Sequence, residues 1–170
     1  HGSTSVQILP VDVYGAGEYA NTWNVAAGIV QAVNNGANVI NLSLGGTADS
    51  SVLRDIVKAV ADRGIMMIGA AGNTPVATPF YPAAYPEVLA VTAGTKAGTI
   101  ASYANYGSFV DVVAPGSIIV SYGGQTWFVQ GTSASSAFTS GFAAGTAENQ
   151  NLSWKNVRTV ILNTFPAPKK

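Results

Sequence analysis

The chain has no cysteine. Disulfide bridges and thiolate metal sites are therefore excluded, while the redox compartment stays open, because many secreted proteins also lack cysteine. Charge is scarce as well, 9% of 170 residues, with eight basic side chains balanced by eight acidic ones. A neutral chain without a basic run carries no electrostatic footprint for nucleic acid and has no reason to sit on an anionic membrane surface. No apolar run approaches the ~20 residues of a membrane-spanning helix. The opening HGSTSVQ has neither the basic start nor the apolar stretch of a signal peptide, although a processed secreted protein would read the same way. Histidine occurs once, at His1, so a histidine-rich metal site is ruled out, and no Gly-rich loop with lysine offers itself to a nucleotide.

What is present is apolar. Hydrophobic residues make up 48% of the chain, which argues against disorder and supplies one domain with a sizeable core. Val6–Val13 (VQILPVDV) is an apolar, β-branched run that predicts a strand, followed by a turn at GAGEY. Trp23, Ala26, Ala27, Val30 and Val33 recur at helical spacing, with a stop expected at Asn35-Gly36. Asn38–Leu44 reads as a strand ended by Gly45-Gly46. Ser51–Arg63 reads as a helix burying Leu53, Ile56, Val57 and Val60 and stopping at Gly64. Ile65–Ala71 is apolar throughout, as suits a strand covered on both faces, and Glu87–Gly94 supplies a further strand.

Strand and helix in alternation predict an α/β fold: a mostly parallel sheet with helices on both faces, in three layers. FVDVVAPG, IIVSYGG and TWFVQG look instead like short antiparallel hairpins. Two helices close the chain, one opening near Ser133 and one capped by Ser153 and running to about Asn163, before a frayed tail PAPKK.

GTSASSAFTSG, Gly131 to Gly141, gathers hydroxyls where a helix begins. A serine there caps the helix by accepting a backbone N–H, or acts as a nucleophile where free amides favour developing negative charge. INLSLGG, GAAGN, YPAAYP and DVVAPG precede it in that order. The succession resembles the subtilisin-like serine peptidases, whose stretches read like N-x-S-L-G, A-A-G-N, Y-P-A, A-P-G and G-T-S-x-A-x-P. The resemblance runs from about Val6 to the last helix.

The resemblance implies a single subtilase-like domain over residues 1–170 that lacks the family's N-terminal strands. It puts Ser133 on the nucleophile and Asn73 on the oxyanion-hole residue, although Gly-Asn is also an ordinary turn pair. It puts Ser43, Leu44 and Gly45 on a segment that pairs with substrate backbone. Ala70, Ala71 and Gly72 fall on the opposite wall of a pocket with room for a large apolar group. Tyr81-Pro82 matches a cis peptide. The family often holds structural calcium, but no residues that carry those sites are recognisable; no other cofactor is implied.

The rest of the triad departs from the family. A serine needs a base, commonly a histidine oriented by a carboxylate. His1-Gly2 matches two residues of the family's H-G-T motif without the helix that follows it there. His1 is thus either a terminal remnant or a base for Ser133. Asp12, Asp49, Asp55, Asp62 and Asp111 include no D-T-G or D-S-G motif. Ala137 stands at the family's usual proline and Phe138 at its frequent histidine. The absent aspartate strand would lie between Val6–Val13 and Asn38–Leu44. Either those two strands close up, or another segment, from self-association or a complementing chain, fills the slot.

Two functions follow. One is a serine hydrolase of peptide bonds or esters, secreted as the family implies. The other is an inert subtilase core that binds extended peptides along Ser43–Gly45.

Overall fold

Residues 4–167 are described by a computed structural model. The first helix, α1, spans Thr22–Asn34; the Asn21 side chain caps it by accepting from the Asn24 N–H, and it ends at Asn35 before Gly36, whose φ of +82° suits the left-handed exit. Strand β1 is Val39–Leu42. Helix α2, Ser51–Asp62, is capped by Ser50, buries Leu53, Val57 and Val60, and stops before Gly64 as expected. Strands β2 (Met66–Ala70) and β3 (Val88–Gly94) are buried almost throughout. Strand β4 is Val112–Pro115, and β5 (Ser117–Tyr122) and β6 (Gln125–Gln130) follow it. Helix α3, Thr132–Gln150, begins one residue earlier than the sequence predicts, and α4, Trp154–Thr164, is capped by Ser153 as predicted.

The sheet runs β1-β2-β3-β4 with every neighbour parallel. Period-two alternation sorts its side chains to two faces. Ile40, Leu42, Met67 and Val88 join Val25, Ile29, Leu53 and Val57 of α1 and α2 in one cluster. Met66, Ile68, Leu89, Val91 and Val112 join Ala143 of α3 with Val157 and Ile161 of α4 in the other. The three-layer α/β architecture is therefore as the alternating pattern predicts.

Four expectations are corrected. The stretch 6–13 forms no strand; Val6, Ile8 and Leu9 are exposed. A strand needs a partner for its ladder, and this segment has none among the described residues. It is held at its ends instead. Thr4 Oγ1, Ser5 N–H and Ser5 Oγ donate to the Glu148 carboxylate at 2.5–2.7 Å. Val11 and Val13 lie against Gly28, where a Cβ would come within 2.4 Å of Val13 Cγ1. So β1 is not closed off by this stretch, and its outer edge is unpaired among the described residues.

The second correction is β4, which is a parallel strand of the main sheet rather than part of a hairpin; only β5 and β6 pair antiparallel, around Gly123-Gly124 with φ of +60° and +75°. The third is the face of α1. Val25, Ala26, Ile29, Ala32 and Val33 are buried, while Trp23 is 71% exposed and Ala27 and Val30 are exposed too. That helix is apolar nearly all round, so spacing alone does not choose its buried stripe. At the other end, Val112 bridges Pro166 and the Ala167 N–H donates to the Asp111 carbonyl, so the described part of the tail is tied down rather than frayed.

Candidate active site

Gly131 is the N-cap of α3, with φ +147° and no side-chain cap. Ser133 therefore does not cap. Its Oγ–H donates to the Ser43 carbonyl at 3.3 Å, and the Ser43 Oγ–H donates to the Ser133 carbonyl at 3.2 Å. The other hydroxyls of the motif fasten α3 to its surroundings. Ser135 donates to the Pro115 carbonyl, Ser136 to Asn41 Oδ1, and Thr139 and Ser140 back to carbonyls four residues earlier. Small side chains bring this helix close over the sheet, and their hydroxyls satisfy the carbonyls they cover.

Asn73 follows β2 through Ala71 and Gly72. Its Oδ1 accepts both the Thr132 N–H at 2.9 Å and the Thr132 hydroxyl at 3.0 Å, and the Gly72 N–H donates to Thr132 Oγ1 at 3.1 Å. A Cβ on Gly131 would stand 3.4 Å from Asn73 Nδ2, 3.7 Å from Asn73 Oδ1 and 3.8 Å from the Ser133 nitrogen. The two donors thus border one small space, kept open because residue 131 has no side chain. Beneath the turn, the 2%-exposed Asn105 accepts the Thr74 N–H at its Oδ1, and its own N–H donates to the Gly72 carbonyl.

Ser43 and Leu44 are half-buried and Gly45 is exposed. The segment is fixed by the reciprocal bonds between Gly46 and Tyr81, 2.8 and 2.7 Å. A Cβ on Gly45 would meet the Phe80 ring at 2.5 Å and the Tyr81 carbonyl at 2.6 Å, so this position admits only glycine. Ala70, Ala71 and Gly72 are buried. The Tyr81–Pro82 peptide is cis.

His1 lies outside the described residues, and it is the sequence's single histidine. Thr4 and Ser5 are clasped to Glu148, about 22 Å along α3 from Ser133 at the ordinary 1.5 Å rise per residue. Four of the five aspartates have structural partners. Asp12 Oδ1 accepts the N–H groups of Tyr14 and Gly15 at 2.9 Å, which hold its carboxyl below the usual range. Asp49 pairs with Arg54 and the Tyr85 hydroxyl, and Asp62 with Lys58. Asp111 accepts the Ala90 N–H and faces Arg158; burial nevertheless pushes its carboxyl up. No three His, Cys, Asp or Glu side chains gather to hold a metal ion among the described residues.

Sequence reasoning singles out Ser133, Asn73 and Ser43, which the structure brings into one neighbourhood. It misses Thr132, Asn105 and Asn41. The only available signal was polar residue types inside apolar segments, such as the asparagine in VINL.

The Ser133 hydroxyl at the start of α3 thus lies in one neighbourhood with the Asn73 amide and the Ser43 carbonyl. Comparison with known proteins gives the lineage. The model of the Subtilase family matches residues 1–169. Subtilisin Savinase of Lederbergia lenta is 36% identical over 156 residues, 91% of this chain and 58% of that protein. Thermitase of Thermoactinomyces vulgaris is 40% identical over 148 residues, 85% of this chain and 53% of that protein. The structure of the patellamide maturation protease PatA superposes with a TM-score of 0.83 at 30% identity, covering 90% of this chain and 62% of that one. This chain belongs to the subtilase family. It spans about half the length of the curated relatives it matches.

Proposed function

We propose that the chain carries the nucleophile and oxyanion hole of a subtilisin-type serine hydrolase acting on peptide bonds and esters. The observation that carries this reading is the space at Gly131, bordered by Asn73 Nδ2 and the Ser133 N–H. In the first step Ser133 Oγ bonds to the substrate carbonyl carbon and its proton passes to a base. The carbonyl π electrons move onto oxygen, which accepts from Asn73 Nδ2 and the Ser133 N–H. Collapse of that intermediate re-forms the carbonyl and expels the leaving group, which takes up the proton when it is an amine. Ser43–Gly45 pairs with the substrate backbone, and Ala70, Ala71 and Gly72 stand behind the acyl-side pocket.

The base is the part this reading places elsewhere. The Ser133 hydroxyl donates to the Ser43 carbonyl, which can accept a hydrogen bond but cannot carry the proton away. The base is then His1 or an imidazole on a segment that adds a strand to the open edge of β1. Esters react more readily than amides because their leaving group needs less protonation. An extracellular setting is part of the same proposal. No helix among the described residues is long and apolar enough to cross a membrane.

The same Ser133–Ser43 bond favours the second reading, an inert core that binds extended peptides beside exposed Gly45. A fluorophosphonate probe separates the two. Covalent labelling that disappears in Ser133→Ala supports the hydrolase; no labelling of well-folded protein leaves the peptide-binding core.

A further inference from the structure

We propose that Asn41 is a positioning residue that holds the Ser133 turn in register with the substrate strand; this rests on the hydrolase reading of the site. Asparagine is disfavoured in strands, yet Asn41 occupies the third position of β1, between Ile40 and Leu42, which turn to the α1/α2 core. Asn41 turns the other way, toward α3, and every polar atom of its amide is used there. Nδ2 donates to Ser43 Oγ at 2.9 Å, and Oδ1 accepts from Ser136 Oγ at 2.7 Å.

The direction of these bonds gives the residue its role. Ser43 has one hydroxyl proton, and it goes to the Ser133 carbonyl. The Ser43 oxygen must then accept from a donor, and Asn41 Nδ2 is that donor. A single side chain therefore grips the serine helix at two points, directly at Ser136 and through Ser43 at Ser133. An acceptor in place of Nδ2 would draw the Ser43 proton to itself and release the Ser133 carbonyl.

A polar group on an unpaired edge also has a bland use, which is to discourage strand addition. The isosteric change Asn41→Asp tells the two apart. It keeps the edge polar, and adds charge, while reversing the polarity of the contact with Ser43. Fluorophosphonate labelling, resolved into a maximal rate and a half-saturating probe concentration, is the first readout. Asn41→Asp lowers the maximal rate about 10-fold, the effect of about one lost hydrogen bond on a transition state, and leaves half-saturation unchanged. Ser43→Ala shows a similar loss, and adding Asn41→Asp to it costs little more. Labelling of Asn41→Asp at the wild-type rate overturns the proposal.

Amide hydrogen exchange is the second readout and needs no activity. Asn41→Asp speeds exchange in Ser135–Ala137 about 10-fold relative to α4; equal exchange in the two proteins overturns the proposal. An unreactive wild-type chain sinks the hydrolase reading alone, and exchange still decides on Asn41.

Discussion

Asn73 is set by its neighbour more than by its own backbone. Thr132 donates twice to Oδ1, which leaves the amide's donor end to face the space at Gly131. If that space receives an oxyanion, Asn73→Ala should slow labelling of Ser133 by about 10²–10³-fold, the usual effect of removing one such donor. The same change strips buried Thr132 of the acceptor for its N–H and its hydroxyl, so the thermal unfolding midpoint should fall as well, and labelling is compared at a temperature where both proteins are folded. A variant that labels at the wild-type rate would remove Asn73 from the mechanism. Ser133 and Asn73 were legible because they sit in short local motifs. Thr132, Asn105 and Asn41 were not, because their partners are far away in sequence: Thr132 reaches 59 residues back to Asn73, and Ser136 reaches 95 back to Asn41. A hydrogen bond of that kind exists only once the sheet and α3 have come together.

Elements with their own internal pattern were read correctly, and those that depend on a neighbour were not. α2 has one apolar stripe, and its buried face agrees with the expected one apart from half-buried Ile56. The stretch 6–13 has strand composition but no partner, so it stays an extended arm tethered by Thr4 and Ser5 to Glu148. The tether has a defined pH response. The Ser5 hydroxyl, the Ser5 N–H and the Thr4 hydroxyl favour the charged carboxylate and lower the Glu148 pKa from its ordinary 4.5. A lowered native pKa means that the contribution is complete above 4.5 and is lost as pH falls through the native value. Amide exchange at Ser5 and Val6 should therefore be protected at neutral pH and lose that protection only below the ordinary glutamate range. Glu148→Ala, which removes the acceptor, should lose protection at every pH. Protection that persists unchanged in Glu148→Ala would mean that the arm is held by something other than this carboxylate.

On the scale of the whole molecule, two surfaces lack cover. The β5–β6 ribbon exposes Ile119 at 73%, Phe128 at 66% and Trp127 at 50%. A two-stranded ribbon is marginal in water without a packing partner. The outer edge of β1 is the second surface, open where a strand could add. Neither surface carries a protective charge: SIIVSYGGQTWFVQ and VINL contain no Lys, Arg, Asp or Glu. The chain's net charge is zero at pH 7, so no long-range repulsion keeps copies apart. Self-association of the 170-residue chain follows, strongest near neutral pH. Sedimentation velocity should give a coefficient that rises with protein concentration. Ile119 and Phe128 are directly opposed across the ribbon, so Ile119→Lys with Phe128→Glu places an attractive pair on the exposed face and removes its apolar character. That double variant should sediment as a 17.3 kDa monomer. If it associates as strongly as the wild type, the ribbon is not the contact and the β1 edge remains as the surface that pairs. A wild-type chain that stays monomeric up to high micromolar concentration would show that neither surface draws a second copy.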